Sequence, residues 1–450
     1  MTEDTIVAPA TPPGGAIAVI RMSGGRSREI LSRVFDNTKQ LSHAKMVHGR
    51  ITAQGRVIDE VMAVWFEAPN SYTGEDSVEI YCHASAFGMY EIVNLLAQNG
   101  ARPAHPGEFT KRAFLNGKLD LSQAEAVCDF IAASSGAGAR AAQSQLQGNL
   151  RDCVAGLQDR MGDLIAEIEA AVEYPEEDLE FSIIQKTVPY LKEILESIQS
   201  LAASFETGII LKEGLSVAIA GKPNVGKSTL FNALAQRDRA IVSPESGTTR
   251  DTIDASVSLN GVAINLQDTA GIRSTQNKIE AQGVERSRDA LKQARLTLFV
   301  LDASAPITQE DLDAFSAASG DCFILLAKSD LGCALSAEEI HASFGGHPVL
   351  RVSAHTGNGI AELRSALYDF AVGDSTAAEG VLITSARHRE LLLAAAASVS
   401  DALLALGSGV DMDCVTIDLS AAWQSLGGIT GNTVTEEIID KIFSKFCLGK

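Results

Sequence analysis

Apolar positions recur along this chain with two different periods, and the places where the period changes divide it into segments. Up to about residue 118, short apolar runs alternate with turn residues: Ala16-Ile17-Ala18-Val19-Ile20-Arg21, Val61-Met62-Ala63-Val64-Trp65-Phe66 and Ser77-Val78-Glu79-Ile80-Tyr81. Runs of that length bounded by turn signals predict strands. Between Ser85 and Gly100, Met89, Ile92, Val93, Leu95 and Leu96 have helical spacing, so an α+β domain is expected here. From Ser122 the text becomes Ala-rich and helical as far as Val172, breaks at Pro175 and resumes from about Val188 to Leu211. It carries no strand signal, which predicts long helices packed as a bundle.

Strand text returns at 216–220, 253–259, 262–267, 296–302, 322–326 and 349–352, with helical stretches between several of these runs. Asn260-Gly261 joins two of them with the residues of a type I′ two-residue hairpin. A mostly parallel sheet with one antiparallel hairpin is therefore expected. After a polar linker near Gly373 to Gly380, helical patterns cover Arg387–Leu406, Ile417–Leu426 and Thr433–Phe446. The last puts Ile438, Ile442 and Phe446 on one face and opens with the capping-box pair Thr433 and Glu436. About 70 residues of helix bury too little surface to stand alone. They are expected to complete the earlier bundle, with the sheet domain inserted between its halves.

The chemistry is concentrated in Gly221-Lys222-Pro223-Asn224-Val225-Gly226-Lys227-Ser228, between the strand 216–220 and the helix start at Thr229. Two glycines flanking four residues, followed by Lys-Ser, form a phosphate loop. Its backbone N–H groups close on an anion at a helix N-terminus, where orphan donors and the helix dipole both favour negative charge. Lys227 supplies a point charge between the β- and γ-phosphates, and Ser228 a hydroxyl ligand for Mg²⁺. Downstream, Asp268-Thr269-Ala270-Gly271 closes a strand, where a carboxylate can hold Mg²⁺ through water and a backbone N–H can meet the γ-phosphate. Gly247-Thr248-Thr249-Arg250-Asp251 lies between, where a switch segment places a threonine on the metal. Ala327-Lys328-Ser329-Asp330 follows a buried strand, and Asp330 can accept from guanine N1–H and N2–H, which adenine does not offer. Ser353-Ala354 would meet the guanine carbonyl with a backbone N–H. This order predicts a GTPase of the translation-factor type.

Two positions depart from that pattern. The motif's asparagine is Ala327 here, which removes a side-chain hydrogen bond to the base and a tie to the phosphate loop. Ile272 stands where many GTPases carry the glutamine that orients the attacking water, so another group must do so. Asn224 offers an oxygen beside the phosphates for a monovalent cation, or simply ties the loop to the switch.

Composition narrows the partners. With 450 residues, 46% of them apolar, the chain is expected to form about three domains and is not wholly disordered. A net charge of −20 argues against a general nucleic-acid binder. One local basic patch is expected at Arg102, Lys111, Arg112 and Lys118, opposed only by Glu108, and the acidic run from Glu167 to Glu180 reads as a solvated helix end. Seven scattered cysteines without a CxxC pair suggest reduced thiols in a cytosol and no zinc site. No window of ~18 apolar residues lacks a charge or breaker, so a cytoplasmic chain with no membrane span is expected.

Several longer stretches carry a resemblance: Thr5-Ile6-Val7-Ala8-Pro9-Ala10-Thr11-Pro12-Pro13-Gly14, Pro69-Asn70-Ser71-Tyr72-Thr73-Gly74-Glu75-Asp76, the run from Pro106 to Leu121, and the closing Cys447-Leu448-Gly449-Lys450. On these and the nucleotide motifs, the chain resembles the MnmE (TrmE) family of tRNA-modification GTPases over nearly its whole length. The resemblance implies a multidomain α/β architecture: an N-terminal α+β domain (1–118) that binds tetrahydrofolate and dimerises, an all-α domain in two parts (119–212 and 374–450), and a doubly wound GTPase domain (213–373) inserted between them. It implies a homodimer that works with the flavoprotein MnmG, which carries FAD and uses NADH. Together they form an aminomethyl or carboxymethylaminomethyl group on carbon 5 of the wobble uridine, position 34, of tRNA. The one-carbon donor is 5,10-methylene- or 5-formyl-tetrahydrofolate, held at positions matching Arg21, Glu79, Lys118 and Lys450; read singly, each of these could equally be an ordinary surface salt bridge.

The resemblance further implies K⁺ held at Asn224, Ser243, Glu245 and Thr248, Mg²⁺ at Ser228 and Thr249, and a water-orienting glutamate at Glu280, which fills the vacancy at Ile272. The GTP site would span Asn224 to Thr229, Ser243-Pro244-Glu245-Ser246-Gly247-Thr248-Thr249, Asp268 to Gly271, Lys328, Asp330, Ser353 and Ala354. Asn224, Lys227 and Glu280 would be its catalytic members. The N-terminal text departs from the family at Gly14-Gly15, which is shortened, and at Cys82-His83-Ala84-Ser85, where Gly-His-Gly-Gly is usual. Cys447 is either a nucleophile toward carbon 6 of the uridine or a packing and tail-fixing residue. The competing class is an Era-like regulatory GTPase of ribosome assembly, which predicts no folate site and a basic RNA-binding domain.

Overall fold

The computed structural model describes residues 4–173, 179–235, 255–268, 291–292, 294–316, 318, 320–373, 380–408, 410, 412–447 and 449–450. The chain divides into two compact units, one formed by Met1–Cys128, Leu146–Ile184 and Leu404–Lys450, the other by Asp129–Gln145 and Gln185–Leu403.

The first unit is built on a six-stranded sheet of β1 (Thr5–Pro9), β2 (Ile17–Ser23), β3 (Val47–Ala53), β4 (Arg56–Phe66), β5 (Ser77–His83) and β6 (Ala101–Pro103). Its order is β3-β4-β5-β2-β1-β6. All neighbours pair antiparallel except β1 with β6. Alternation is visible in β3, where Val47, Gly49 and Ile51 are buried and His48 and Arg50 are exposed. The predicted helix is Ala86–Gln98; Ser85 caps it by accepting from the Gly88 N–H, and Met89, Ile92 and Leu96 are its buried stripe.

Two long helices of the same unit, Asn149–Glu173 and Met412–Thr430, bury complementary seams. Leu150, Val154, Leu157, Met161, Leu164 and Ile168 recur at intervals of three and four, as do Met412, Val415, Leu419, Ala422, Leu426 and Ile429. That spacing keeps each seam on one side over several turns. Gln158 Nε2 donates to the Trp423 carbonyl at 3.1 Å between them.

Helix Glu436–Phe443 corrects two expectations. Its N-cap is Thr435, and Thr433 instead donates its hydroxyl to the Gln424 carbonyl of the preceding helix at 2.8 Å, so no capping box forms. Its buried residues are Ile439 and Phe443, with Phe446 beyond them, while Ile438 is exposed. Ile442 is half-buried and packs against the same cluster as Ile439, Phe443, Leu121 and Ala124, so of the expected face Ile438 alone turns outward.

The second unit holds β7 (Leu215–Ala220), β8 (Ala255–Leu259), β9 (Val262–Asp268), β10 (Leu296–Asp302), β11 (Asp321–Ala327) and β12 (Val349–Arg351), in the order β12-β11-β10-β7-β9-β8. Every pair is parallel except the β8/β9 hairpin, whose Asn260 and Gly261 both have positive φ as a type I′ turn requires. Both faces are covered. Val217, Ile219, Leu298 and Val300 enter one apolar cluster, while Ala218, Ala220, Phe299 and Leu301 enter the other. This explains why these strands read as unbroken apolar runs.

The chain enters this sheet after helix Phe205–Glu213 and comes back beside the same helix. Ile383 N–H donates to the Ser204 hydroxyl at 3.1 Å, and Gln145 Nε2 donates to the Leu382 carbonyl and the Thr384 hydroxyl, both at 3.1 Å. Two helical stretches, Lys186–Glu213 and Ala386–Ser408, are long and apolar enough to cross a membrane by length and composition. Ile194, Ile198 and Leu201 of the first and Leu392, Ala395, Val399 and Ala402 of the second are buried within the structure.

Candidate functional site

The phosphate loop leaves the C-terminal end of β7 and enters helix Lys227–Ala235. Gly221 has φ +137°, and a Cβ there would lie 2.4 Å from the Val300 carbonyl oxygen, so no larger residue fits against β10. Asn224 takes φ +65°, a left-handed conformation that asparagine tolerates better than most residues. Lys227 is buried, and its Nζ donates to the carbonyls of Gly221 and Lys222, both at 2.8 Å. The ammonium thus spans the loop from within. Ser228 follows in the first turn of the same helix, and Val225 is buried beneath the loop.

The candidate base-recognition residues gather at the ends of β10, β11 and β12. Lys328 has φ +57°, and its Nζ pairs with Asp302 at 2.6 Å; Asp302 also accepts the Ser304 hydroxyl at 2.7 Å. Asp330 is exposed and lies beside Ser353, whose hydroxyl bond, with the backbone, holds the Asp330 carboxyl below its ordinary value. A carboxylate kept ionised and open to solvent can accept two N–H donors. The Ser353 N–H, however, donates to the Asn358 carbonyl at 2.8 Å. It is occupied within the protein, so a base carbonyl would have to be met by the Ala354 N–H. Ala327 is buried, and its Cβ lies 4.0 Å from the point where a Cβ on Gly226 would stand.

The backbone of Asp268 ends β9 opposite Ile219 of β7, which brings it to the same edge as the phosphate loop. Thr229 continues the helix after Ser228. Ser243, Pro244, Glu245, Ser246, Gly247, Thr248, Thr249, Thr269, Ala270, Gly271, Ile272 and Glu280 lie outside the described residues.

A second cluster forms in the other unit. Arg21 on β2 and Glu79 on β5 are opposite each other in register, and the Arg21 Nε and guanidinium NH2 donate to one Glu79 oxygen at 3.0 and 2.8 Å. Tyr81 donates its hydroxyl to the other oxygen at 2.8 Å. Burial and that bond to a carboxylate push the Tyr81 phenol up to about 12. The Arg21 guanidinium also lies over the rings of Tyr72 and Phe109, 5.4 and 5.9 Å from their centres.

Lys450 joins this cluster. Burial lowers its ammonium pKa, as does the nearby Arg21 charge, while Cys128, Glu79 and Cys447 act on it in the opposite sense. Its carbonyl accepts from the Phe109 N–H at 3.2 Å, and the Cys447 carbonyl accepts from the Gly107 and Lys450 N–H groups, both at 3.3 Å. Gly449 has φ +88°, and a Cβ there would stand 2.1 Å from the Pro9 carbonyl oxygen. Only glycine lets the tail pass this close to β1. The Cys447 side chain is exposed while its backbone helps fix the tail. Lys118 is exposed and donates to the Pro69 carbonyl at 3.1 Å.

The expected basic patch does not form. Arg112 is buried and pairs with Asp4 at 2.7 Å, Glu75 at 3.1 Å and Glu108 at 3.1 Å; Arg102 pairs with Asp4 and Glu108; Lys111 pairs with Asp440. Asp4, Glu75 and Asp440 from remote parts of the sequence, with the nearby Glu108, neutralise Arg102, Lys111 and Arg112, and the network fixes Glu75, which also accepts the Ser23 hydroxyl at 2.7 Å.

The profile described as "MnmE helical domain" matches residues 121–447, and the one described as "GTP-binding protein TrmE N-terminus" matches residues 5–118. The tRNA modification GTPase MnmE of Geobacillus kaustophilus is 42% identical over 465 residues, covering 100% of both chains. The protein of the same name from Clostridioides difficile is 38% identical over 459 residues, covering 100% of this chain and 99% of its own. The chain belongs to the MnmE family of tRNA modification GTPases. Among solved structures, the G domain of the T. maritima FeoB iron transporter overlaps 35% of this chain at 27% identity with a TM-score of 0.27, a local likeness that adds nothing to the assignment.

Within this MnmE-family chain, the sequence reading missed the residues that hold its site residues in place. Tyr81 was detectable, since it stands two positions from Glu79 and strand alternation puts both on one face. Asp302, which holds Lys328, closes the apolar run 296–302 just as Asp268 closes its own strand, a parallel that could have marked it.

Proposed function

We propose that this chain hydrolyses GTP and couples that cycle, with the flavoprotein MnmG, to building the aminomethyl or carboxymethylaminomethyl group on carbon 5 of the wobble uridine of tRNA. The observation that carries the reading is that the Arg21–Glu79 pair and the Lys450 backbone meet at Phe109, because a ribosome-assembly switch has no use for such a cluster. Glu79 carries acceptor lone pairs for a pterin's N–H donors while Arg21 and Tyr81 fix its orientation. Arg21, Lys450 and the exposed Lys118 supply cationic donors suited to a folate's carboxylates. The donor set therefore fits a tetrahydrofolate, which when bound would supply the one-carbon unit. The tail's backbone bonds to Gly107 and Phe109 hold Lys450 in place for that ligand.

In the nucleotide site, the loop N–H groups and Lys227 bind and orient the β- and γ-phosphates, and Asp330 with the Ala354 N–H selects guanine. Ser228 would hold Mg²⁺ together with Thr249. Asn224, Ser243, Glu245 and Thr248 would hold K⁺, whose charge opposes that developing on the transferred phosphoryl group. Glu280 orients the attacking water. The proposal includes a homodimer formed through the N-terminal domain and a cytoplasmic location, with domain limits at 1–118, 119–212, 213–373 and 374–450. Comparing GTP turnover in potassium and sodium at equal ionic strength tests the cation's part: faster turnover in potassium is expected, and equal turnover would remove it. Binding of 5-formyl-tetrahydrofolate to the full chain tests the donor site, and its absence would favour the regulatory switch.

A further inference from the structure

The phosphate loop is gripped from outside by a buried carboxylate. Asp311, in helix Gln309–Ser316, has 2% of its side chain exposed, and its Oδ2 accepts from Lys222 Nζ at 2.8 Å, from the Thr308 N–H at 3.0 Å and from the Thr308 hydroxyl at 2.7 Å. Its Oδ1 is buried without a hydrogen bond among the described residues. Burial pushes the carboxyl up, but the bonds from Lys222 and Thr308 outweigh it and keep the group below its ordinary value. An aspartate that only capped a helix would need neither this burial nor a cation 89 residues earlier in the chain.

Lys222 is the second residue of the phosphate loop. Its carbonyl, with that of Gly221, accepts from Lys227 Nζ at 2.8 Å. Asp311 therefore fixes the side chain of the residue whose backbone fixes Lys227. On the side of the loop facing Gly226, Ala327 offers a methyl group and no polar atom, 4.0 Å from where a Cβ would stand. We propose that Asp311, acting through Lys222, is the positioning residue that holds the phosphate loop ready for nucleotide, in place of the tie that Ala327 cannot make. The inference rests on the reading of this loop as the GTP site.

The test measures GDP affinity of the full chain, together with nucleotide-free thermal stability, in wild type, Asp311→Asn and the double variant Lys222→Met/Asp311→Leu. Replacing a buried ion pair by apolar groups of similar size often leaves stability unchanged, so the double variant separates holding the loop from holding the fold. Both variants are expected to bind GDP at least about tenfold more weakly, the scale of a lost charge-assisted bond. Adding Ala327→Asn to the double variant restores at least about threefold of that loss and does less in wild type, as coupled residues in one network do. Wild-type GDP affinity in the folded double variant, or the same gain from Ala327→Asn in both backgrounds, overturns the proposal. Failure of wild type itself to bind GDP would instead remove the nucleotide-site reading on which it rests.

Discussion

Phe109 and Lys450 are joined backbone to backbone, the Phe109 N–H donating to the Lys450 carbonyl at 3.2 Å. Phe109 also lies under the Arg21 guanidinium, so one residue links the tail to the cationic cluster on the sheet. Lys450 is thus tied through Phe109 to the Arg21–Glu79 pair.

Gly449→Ala should detach the tail, because the added methyl would stand 2.1 Å from the Pro9 carbonyl in a backbone conformation that alanine rarely adopts. Amide hydrogen exchange at Phe109 and Lys450 should accelerate at least about tenfold, while strands β2 and β5, which do not depend on the tail, keep their protection. Unchanged exchange at both amides would show that the tail does not need glycine there.

Asp330→Asn should weaken GTP binding at least about tenfold, since a carboxylate that accepts twice is replaced by a group that donates where it should accept. Competition binding with GTP and xanthosine triphosphate reads the outcome. Unaltered GTP affinity with no gain for the xanthine nucleotide removes Asp330 from the base site.

Glu280→Ala should leave nucleotide affinity nearly intact and slow single-turnover hydrolysis by about 10²-fold, the scale of a group that positions or activates water. Both quantities are measured on one preparation. Wild-type turnover contradicts the assignment.

Acid should destabilise the first unit partly through Glu108. Burial raises this carboxyl, but the bonds from Arg102, His105 and Arg112 prevail and hold it below its ordinary value. The unfolded chain takes up a proton near pH ~4.3, before the folded protein does. The stabilising contribution is therefore complete above that pH and disappears as pH falls through the lower folded value. Glu108→Gln should lower denaturant resistance at pH 7, and the gap from wild type should shrink on acidification below about pH 4. A gap of constant size across that range contradicts this account.

Legibility in the sequence followed burial. The runs 216–220 and 296–302 were readable as strands because both faces of the second sheet are covered, so Val217 to Ala220 and Leu298 to Leu301 are apolar without a break. The phosphate loop was readable because its spacing is set by backbone geometry that only glycine allows at Gly221. Periodicity could not separate Ile438 from Ile439, since each starts an apolar pair four residues apart; Ile439, Ile442 and Phe443 all meet the cluster of Leu121 and Ala124, and Ile438 is left outside it. The basic patch failed for a related reason: Asp4, Glu75 and Asp440 reach Arg112, Arg102 and Lys111 from distant parts of the chain, and no local pattern encodes them. Arg21 and Glu79 were named from resemblance, and the register of β2 with β5 supplies their physical connection.

On the reading proposed above, a GTPase and a folate site built with the tail occur on one chain. Equilibrium binding of 5-formyl-tetrahydrofolate tests it most directly, comparing the full chain, the chain without residues 446–450, and Arg21→Ala, with GTP turnover measured in each preparation. Saturable binding by the full chain is expected, with at least about tenfold weaker binding in both variants, as befits lost charge-assisted contacts, while GTP turnover persists. Equal folate affinity in all three, or no saturable binding by a full chain that turns over GTP normally, would contradict it.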